Sequence, residues 1–175
     1  AGMRTSFITI IGALSLLFVS TSASAQSSDP YFATANANYD LIYHETGDTS
    51  AAGAHFDLAS TIKRDVPFLG IVGEIGVNHF DGATVSSYMG GARLRIPNLT
   101  PSVLPFAQFV LGVYHCGACN INDFAIQGGA GLDFKVSRSD VIRVRTQLDV
   151  RHVFDNVSGF TPIRVSAGIV FPLNR

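Results

Sequence analysis

In the stretch "VIRVRTQLDVRH", residues 141–152, Arg143, Arg145, Gln147, Asp149 and Arg151 occupy every second position. Ile142, Val144, Leu148 and Val150 lie between them. Strict alternation is the signature of a β-strand, whose successive side chains point to opposite faces of the sheet. Such a strand must turn one face toward water or fixed charges and the other toward something apolar. In a soluble barrel the arginines would lie outside and the aliphatics inside. In a membrane barrel the assignment inverts, and the arginines share a closed interior.

The same alternation recurs along the chain. Turn residues punctuate it every 15–20 positions, and no segment after residue 26 has helical periodicity. The pattern predicts eight strands, at about 31–43, 53–64, 67–79, 84–96, 104–115, 122–136, 140–153 and 160–171. The segments between them include "HETGDTSAAG", "FDGA", "HCGACNIN" and "FDNVSG". An even number of strands of this length suits an antiparallel up-and-down transmembrane barrel, in which a tilted strand needs about 9–11 residues to cross.

Composition favours the inverted arrangement. Charged residues make up 14% of the chain, against roughly 25% in ordinary soluble domains. Lys63 and Lys135 are the only lysines, so there is little from which to build a solvated coat. The polar faces nevertheless carry both signs of charge. Asp40, Asp57, Glu74, Asp133 and Asp149 stand against Arg93, Arg95, Lys135, Arg143, Arg145, Arg151 and Arg164. Such a set can pair inside a narrow barrel, where each buried charge needs a partner. The planar fork of arginine satisfies several acceptors in a confined space. The expectation is an all-β barrel with a polar, charged lumen. Eight strands enclose an interior that side chains just fill, so a wide pore is not expected. Tyr31, Tyr43, Phe80, Phe106, Phe134, Phe154 and Phe171, near strand ends, are candidates for interfacial girdles.

The N-terminus has a different character. Arg4, the apolar run at 7–19 and the exit Ala23-Ser24-Ala25 read as a secretory signal peptide over 1–25, with Ala1-Gly2 a scar or upstream read-through. The barrel domain then occupies 26–175. Export would bring Cys116 and Cys119 into an oxidising compartment, where a loop disulfide is the simplest reading of "HCGACN". A redox pair or a metal site with His115 is the alternative. The formal net charge of −1 provides no general attraction for nucleic acid.

"PFAQFVLGVYH", "FAIQGGAGLDFKVS", "IRVRTQLDVRHVF" and "IRVSAGIVF" resemble the second half of the OmpA-like, porin-family small outer-membrane barrels of Gram-negative bacteria. The resemblance covers roughly 104–171, and the first four strands follow it by pattern only. It implies an eight-stranded barrel inserted from the periplasm by the outer-membrane assembly machinery, and it implies no activity. Such barrels commonly finish on an aromatic residue, whereas here Phe171 is followed by Pro172, Leu173, Asn174 and Arg175.

His152 with Asp155, Asn156 and Ser158 offers a faint hydrolase constellation. Serine and asparagine are also ordinary turn residues. The resulting expectation is a monomeric integral outer-membrane barrel, in contact with outer-membrane lipid, with a structural or surface-interaction role. It has no catalytic residues, cofactor or metal. The alternatives are a soluble periplasmic lipocalin-like barrel around an apolar ligand and an outer-membrane lipid hydrolase.

Overall fold

A computed structural model describes residues 31–44, 47–63, 66–80, 83–96, 102–117, 120–136, 142–154 and 160–173. The signal-peptide segment and Cys119, Asp155, Asn156 and Ser158 lie outside the described residues.

Eight strands close into one antiparallel barrel in chain order. They are β1 (Tyr31–His44), β2 (Gly47–Lys63), β3 (Val66–Phe80), β4 (Ala83–Arg95), β5 (Val103–Cys116), β6 (Ile121–Lys135), β7 (Arg143–Phe154) and β8 (Thr161–Pro172). Closure comes from β1 pairing with β8, with Asp40 opposite Arg164 and Tyr39 opposite Val165. With no free edge, every ladder has a partner on both sides. At one end, the hairpin rim, β1–β2, β3–β4, β5–β6 and β7–β8 are joined. At the other, the terminal rim, β1 begins and β8 ends.

Most boundaries fall within one residue of those expected, and two do not. β7 begins at Arg143 rather than 140. β2 begins at Gly47, six residues before the expected 53. The small and polar residues of 47–52 look like a loop in sequence, but they pair with β1, with Tyr43 opposite Asp48 and Asp40 opposite Ala51. Cross-strand pairing overrides local propensity there, and residues 47–53 of the expected first loop are part of the sheet.

The two faces divide as the alternation requires. Along β7, buried and exposed positions alternate from Arg143 to Val150. The exposed set is apolar: Ile71, Ile75 and Val77 on β3, Phe109 and Leu111 on β5, Leu148 on β7 and Val165 on β8, with Ile71 58% exposed. On four of the strands these stripes have a similar length. On the outward face the apolar character runs through 69–77 on β3, 88–96 along β4, 142–150 along β7 and 163–171 on β8, nine residues in each case. Nine residues at roughly 3.3 Å rise, tilted by about 40°, cover roughly 20–25 Å along the barrel axis. That matches the height of an outer-membrane apolar band.

Candidate functional site

The chemistry of the molecule is concentrated inside the barrel. β2, β3, β4, β6, β7 and β8 each direct at least one charged side chain inward, and those of Asp57, Glu74, Arg93, Arg145, Asp149, Arg151 and Arg164 are no more than 2% exposed. They form two clusters stacked along the axis.

The cluster nearer the terminal rim is centred on Asp57. Its Oδ1 accepts from Arg93 Nη1 at 2.9 Å and its Oδ2 from Arg145 Nη1 at 3.1 Å. Arg145 forks onto Asp133 as well, Nε to Oδ1 at 2.7 Å and Nη2 to Oδ2 at 2.9 Å. Arg93 donates from Nη2 to Gln108 Oε1 at 2.6 Å. The ring of Phe106 lies against both guanidiniums, 4.9 Å from Arg93 Cζ and 4.3 Å from Arg145 Cζ. A cation over an aromatic face is attracted by the ring quadrupole, so Phe106 helps to hold two like charges near one another.

This corrects the expectation for Phe106, which is not a girdle residue. It is 2% exposed and faces the lumen. It shares strand parity with Gln108, so the alternation already pointed it inward. Space for the ring comes from Gly131, directly opposite on β6. A Cβ there would approach Phe106 Cζ to 2.6 Å.

The second cluster is centred on Arg164. It forks onto Glu74 with Nη1 to Oε1 at 2.7 Å and Nη2 to Oε2 at 3.0 Å, and it also donates from Nε to Asp149 Oδ2 at 2.9 Å. Gln147 Nε2 donates to the same carboxylate. Arg151 donates from Nε to Gln127 Oε1 at 2.8 Å, approaches Glu74 at 3.5 Å and lies over the Tyr114 ring at 5.6 Å. Asp40 accepts from Asn78 Nδ2 at 2.8 Å. A Cβ at Gly129 would run into Asp149 Oδ1, so the glycine makes room for this carboxylate.

These bonds are struts across the cylinder. Glu74 and Arg164 belong to β3 and β8, between which β1 and β2 intervene, and Asp57 and Arg145 to β2 and β7. The remaining charges expected in the lumen sit at its terminal end. Arg95 ends β4, Lys135 ends β6 and Arg143 begins β7, with Lys135 and Arg143 paired across the ladder. Arg143 is buried, while Arg95 and Lys135 are half-buried.

The interior is not wholly polar. Val72, Val85, Met89, Val110, Ala125, Val153 and Val170 share the inward parity and are buried. Tyr114 meets Phe160 edge-on at 5.7 Å, extending this apolar packing toward the hairpin rim. A cavity of about 10 Å³ near the terminal rim is lined by Thr61, Phe68, Arg93 and Arg95 among others. It has room for about one water. Among the described residues, the space that an apolar lipocalin-like ligand would need is taken by guanidinium, carboxylate and amide groups.

No protein-family model matches the chain, and no curated protein matches it in sequence. Solved structures do match. Neisserial surface protein A, NspA, aligns with a TM-score of 0.67 at 11% identity, over 86% of this chain and 100% of its own. The N-terminal β-barrel domain of Pseudomonas aeruginosa OprF aligns at 0.50 and 12% identity, over 80% and 97%. The outer membrane enzyme PagL aligns at 0.50 and 13% identity, over 79% and 99%. The chain has the fold of the small outer-membrane barrels. At these identities the likeness concerns architecture, and activity has to be argued from side chains.

The other candidates lie on or near the surface. His152 is half-buried on the outer face of β7, its Nδ1 2.9 Å from Thr161 Oγ1 and its ring edge-on to Phe154 at 4.5 Å. Cys116 closes β5. Phe154 and Phe171 are exposed on the outer face and Phe134 is half-buried, while the side chains of Tyr31, Tyr43 and Phe80 lie outside the described residues. Among the described residues no group of His, Cys, Asp and Glu is arranged to hold a metal.

Proposed function

We propose that the protein is an integral outer-membrane barrel, exported by the signal peptide at 1–25 and inserted with its hairpin rim outward, whose interior is a packed strut and not a conduit. Its role is structural or surface-directed, and it acts as a monomer. The observation that carries this reading is the set of outward apolar stripes, about nine residues long on β3, β4, β7 and β8, on a closed barrel whose charges point inward. In water, those stripes would expose far more contiguous apolar surface than a soluble monomer carries. In a bilayer they meet hydrocarbon, and the closed ladder leaves no backbone group to desolvate.

The filled lumen argues against transport. Two ion-pair clusters, one centred on Asp57 and one on Arg164, occupy the bore, and loss of any one ion would leave an uncompensated buried charge. Refolded into detergent and run without heating, the chain should migrate differently from the boiled form, because an intact barrel resists unfolding in the gel. In planar bilayers it should show no sustained open conductance. A chain that stays in aqueous buffer without detergent would contradict the membrane reading, and steady ohmic currents would contradict the closed lumen.

We propose no catalysis. The described partners of His152 are a threonine hydroxyl and a phenylalanine ring, which do not orient an imidazole as a base. Turnover of lipid A or phospholipid by the refolded barrel, lost in His152→Ala, would overturn this.

A further inference from the structure

The outer ends of β3, β5 and β7 repeat one triplet: Val77-Asn78-His79, Val113-Tyr114-His115 and Val150-Arg151-His152. In each, the valine is exposed at the hairpin-side end of the apolar stripe, the middle residue is buried in the lumen, and the histidine returns to the outer face. His79 and His115 therefore stand one step beyond the last exposed apolar side chain of their strands, on the side of the hairpin rim, and His152 lies between Val150 and the outermost exposed side chain of β7, Phe154.

Each ring is held in the same way by a side chain at the start of the following strand. His79 Nδ1 is 3.2 Å from Thr84 Oγ1, His115 Nδ1 is 2.8 Å from Asn122 Oδ1, and His152 Nδ1 is 2.9 Å from Thr161 Oγ1. The outward cross-strand neighbours are Ala52 and Thr84 for His79, and Ser86 and Asn122 for His115. Ile126 is the neighbour of His152 on β6. None of these carries a charge. A bond at Nδ1 turns Nε2 away from the hairpin partner. The chain also has no tryptophan, one of the two residues that usually supply the amphipathic rings of a membrane interface.

We propose that His79, His115 and His152 form an imidazole girdle seated in the headgroup layer of the outer leaflet, with His79 and His152 donating from Nε2–H to lipid phosphate. The proposal rests on the outer-membrane reading and names where lipid is recognised. The chemistry follows from the hairpin partners. A threonine hydroxyl can serve either ring form, and the proposal assigns it as donor to Nδ1 of His79 and of His152, the tautomer that places the ring proton on Nε2, facing the acceptor oxygens of a phosphate. At His115 the partner is a carbonyl oxygen, which takes the Nδ1–H and leaves Nε2 an acceptor for headgroup hydroxyl or ammonium. The His152 ring packs edge-on against Phe154 at 4.5 Å, as amphipathic rings do at an interface.

The test is nuclear magnetic resonance on the full barrel refolded into phosphatidylglycerol bilayers. The ring proton of His79 and His152 should reside on Nε2 and receive magnetisation from lipid phosphorus, while that of His115 should reside on Nδ1. The variant H79F/H152F keeps two rings at the rim and removes their nitrogens. It should fold like the parent in maltoside micelles, which hold no phosphate, and more slowly than the parent into the bilayers. An inserted, heat-modifiable barrel with no phosphorus transfer to these rings, or with equal folding rates in both media, overturns the girdle and leaves the membrane reading intact. A chain that does not insert overturns both.

Discussion

Asp57 accepts from two arginines that both lie against one phenylalanine ring, and this sets what its loss must cost. Asp57→Ala leaves Arg93 and Arg145 buried, with Gln108 Oε1 the remaining acceptor found for Arg93 and Asp133 the remaining carboxylate for Arg145. Removing one partner of a buried ion pair costs about 3–5 kcal/mol. The variant should therefore show a correspondingly lower urea midpoint when unfolded from bilayers. A loss below about 1 kcal/mol, the range of exposed pairs, would mean that water reaches the cluster. Much of this arrangement could be read from the sequence. Alternation places Asp57, Glu74, Arg93, Arg145, Asp149 and Arg164 on one face of their strands, and the scarcity of lysine with the balance of charge signs points that face inward. Which charge meets which could not be read, because partners such as Glu74 and Arg164 are 90 residues apart and meet only through the registers of several ladders. Phe106 has the residue type and the near-terminal place of a girdle aromatic, yet strand parity, not residue type, decides that it faces the lumen. The V-x-H triplets were visible as a repeat, but the edge of the apolar stripes that gives them meaning appears only once the strands are in register.

At the scale of the strand, the outward stripes predict a depth dependence. Leu111 lies within the stripe of β5 and is 49% exposed, whereas Ser86 on β4 lies toward the hairpin rim, opposite His115. Leu111→Arg should destabilise the bilayer-inserted barrel more than Ser86→Arg, which should cost about 0–1 kcal/mol, because the penalty for a charge rises from the interface into the hydrocarbon. Equal effects in a urea titration from lipid would contradict the depth assignment. Strands were legible where both faces had character. The start of β2 was not, because Gly47, Asp48, Thr49 and Ser50 carry turn-like chemistry and no alternation. Those residues lie beyond the apolar stripe, where a strand needs no apolar face and only pairing with β1 reveals it.

For the whole molecule, closure and filling act together. The β1–β8 ladder removes the edge, and the arginine struts connect strands that the ladder does not pair, so the cross-section is fixed from outside and inside. The apolar residues of the lumen were hidden in the sequence, since an inward valine such as Val110 or Val153 looks the same as an outward one until parity is counted from a charged neighbour. That identity of residue type on opposite faces provides the most direct measurement. With the barrel in lipid bilayers, magnetisation transferred from lipid acyl chains should reach the methyl groups of Ile75, Leu111, Leu148 and Val165 and should bypass those of Val110, Val153 and Val170. Transfer to the second set and not the first would mean that the barrel is inside out relative to this account.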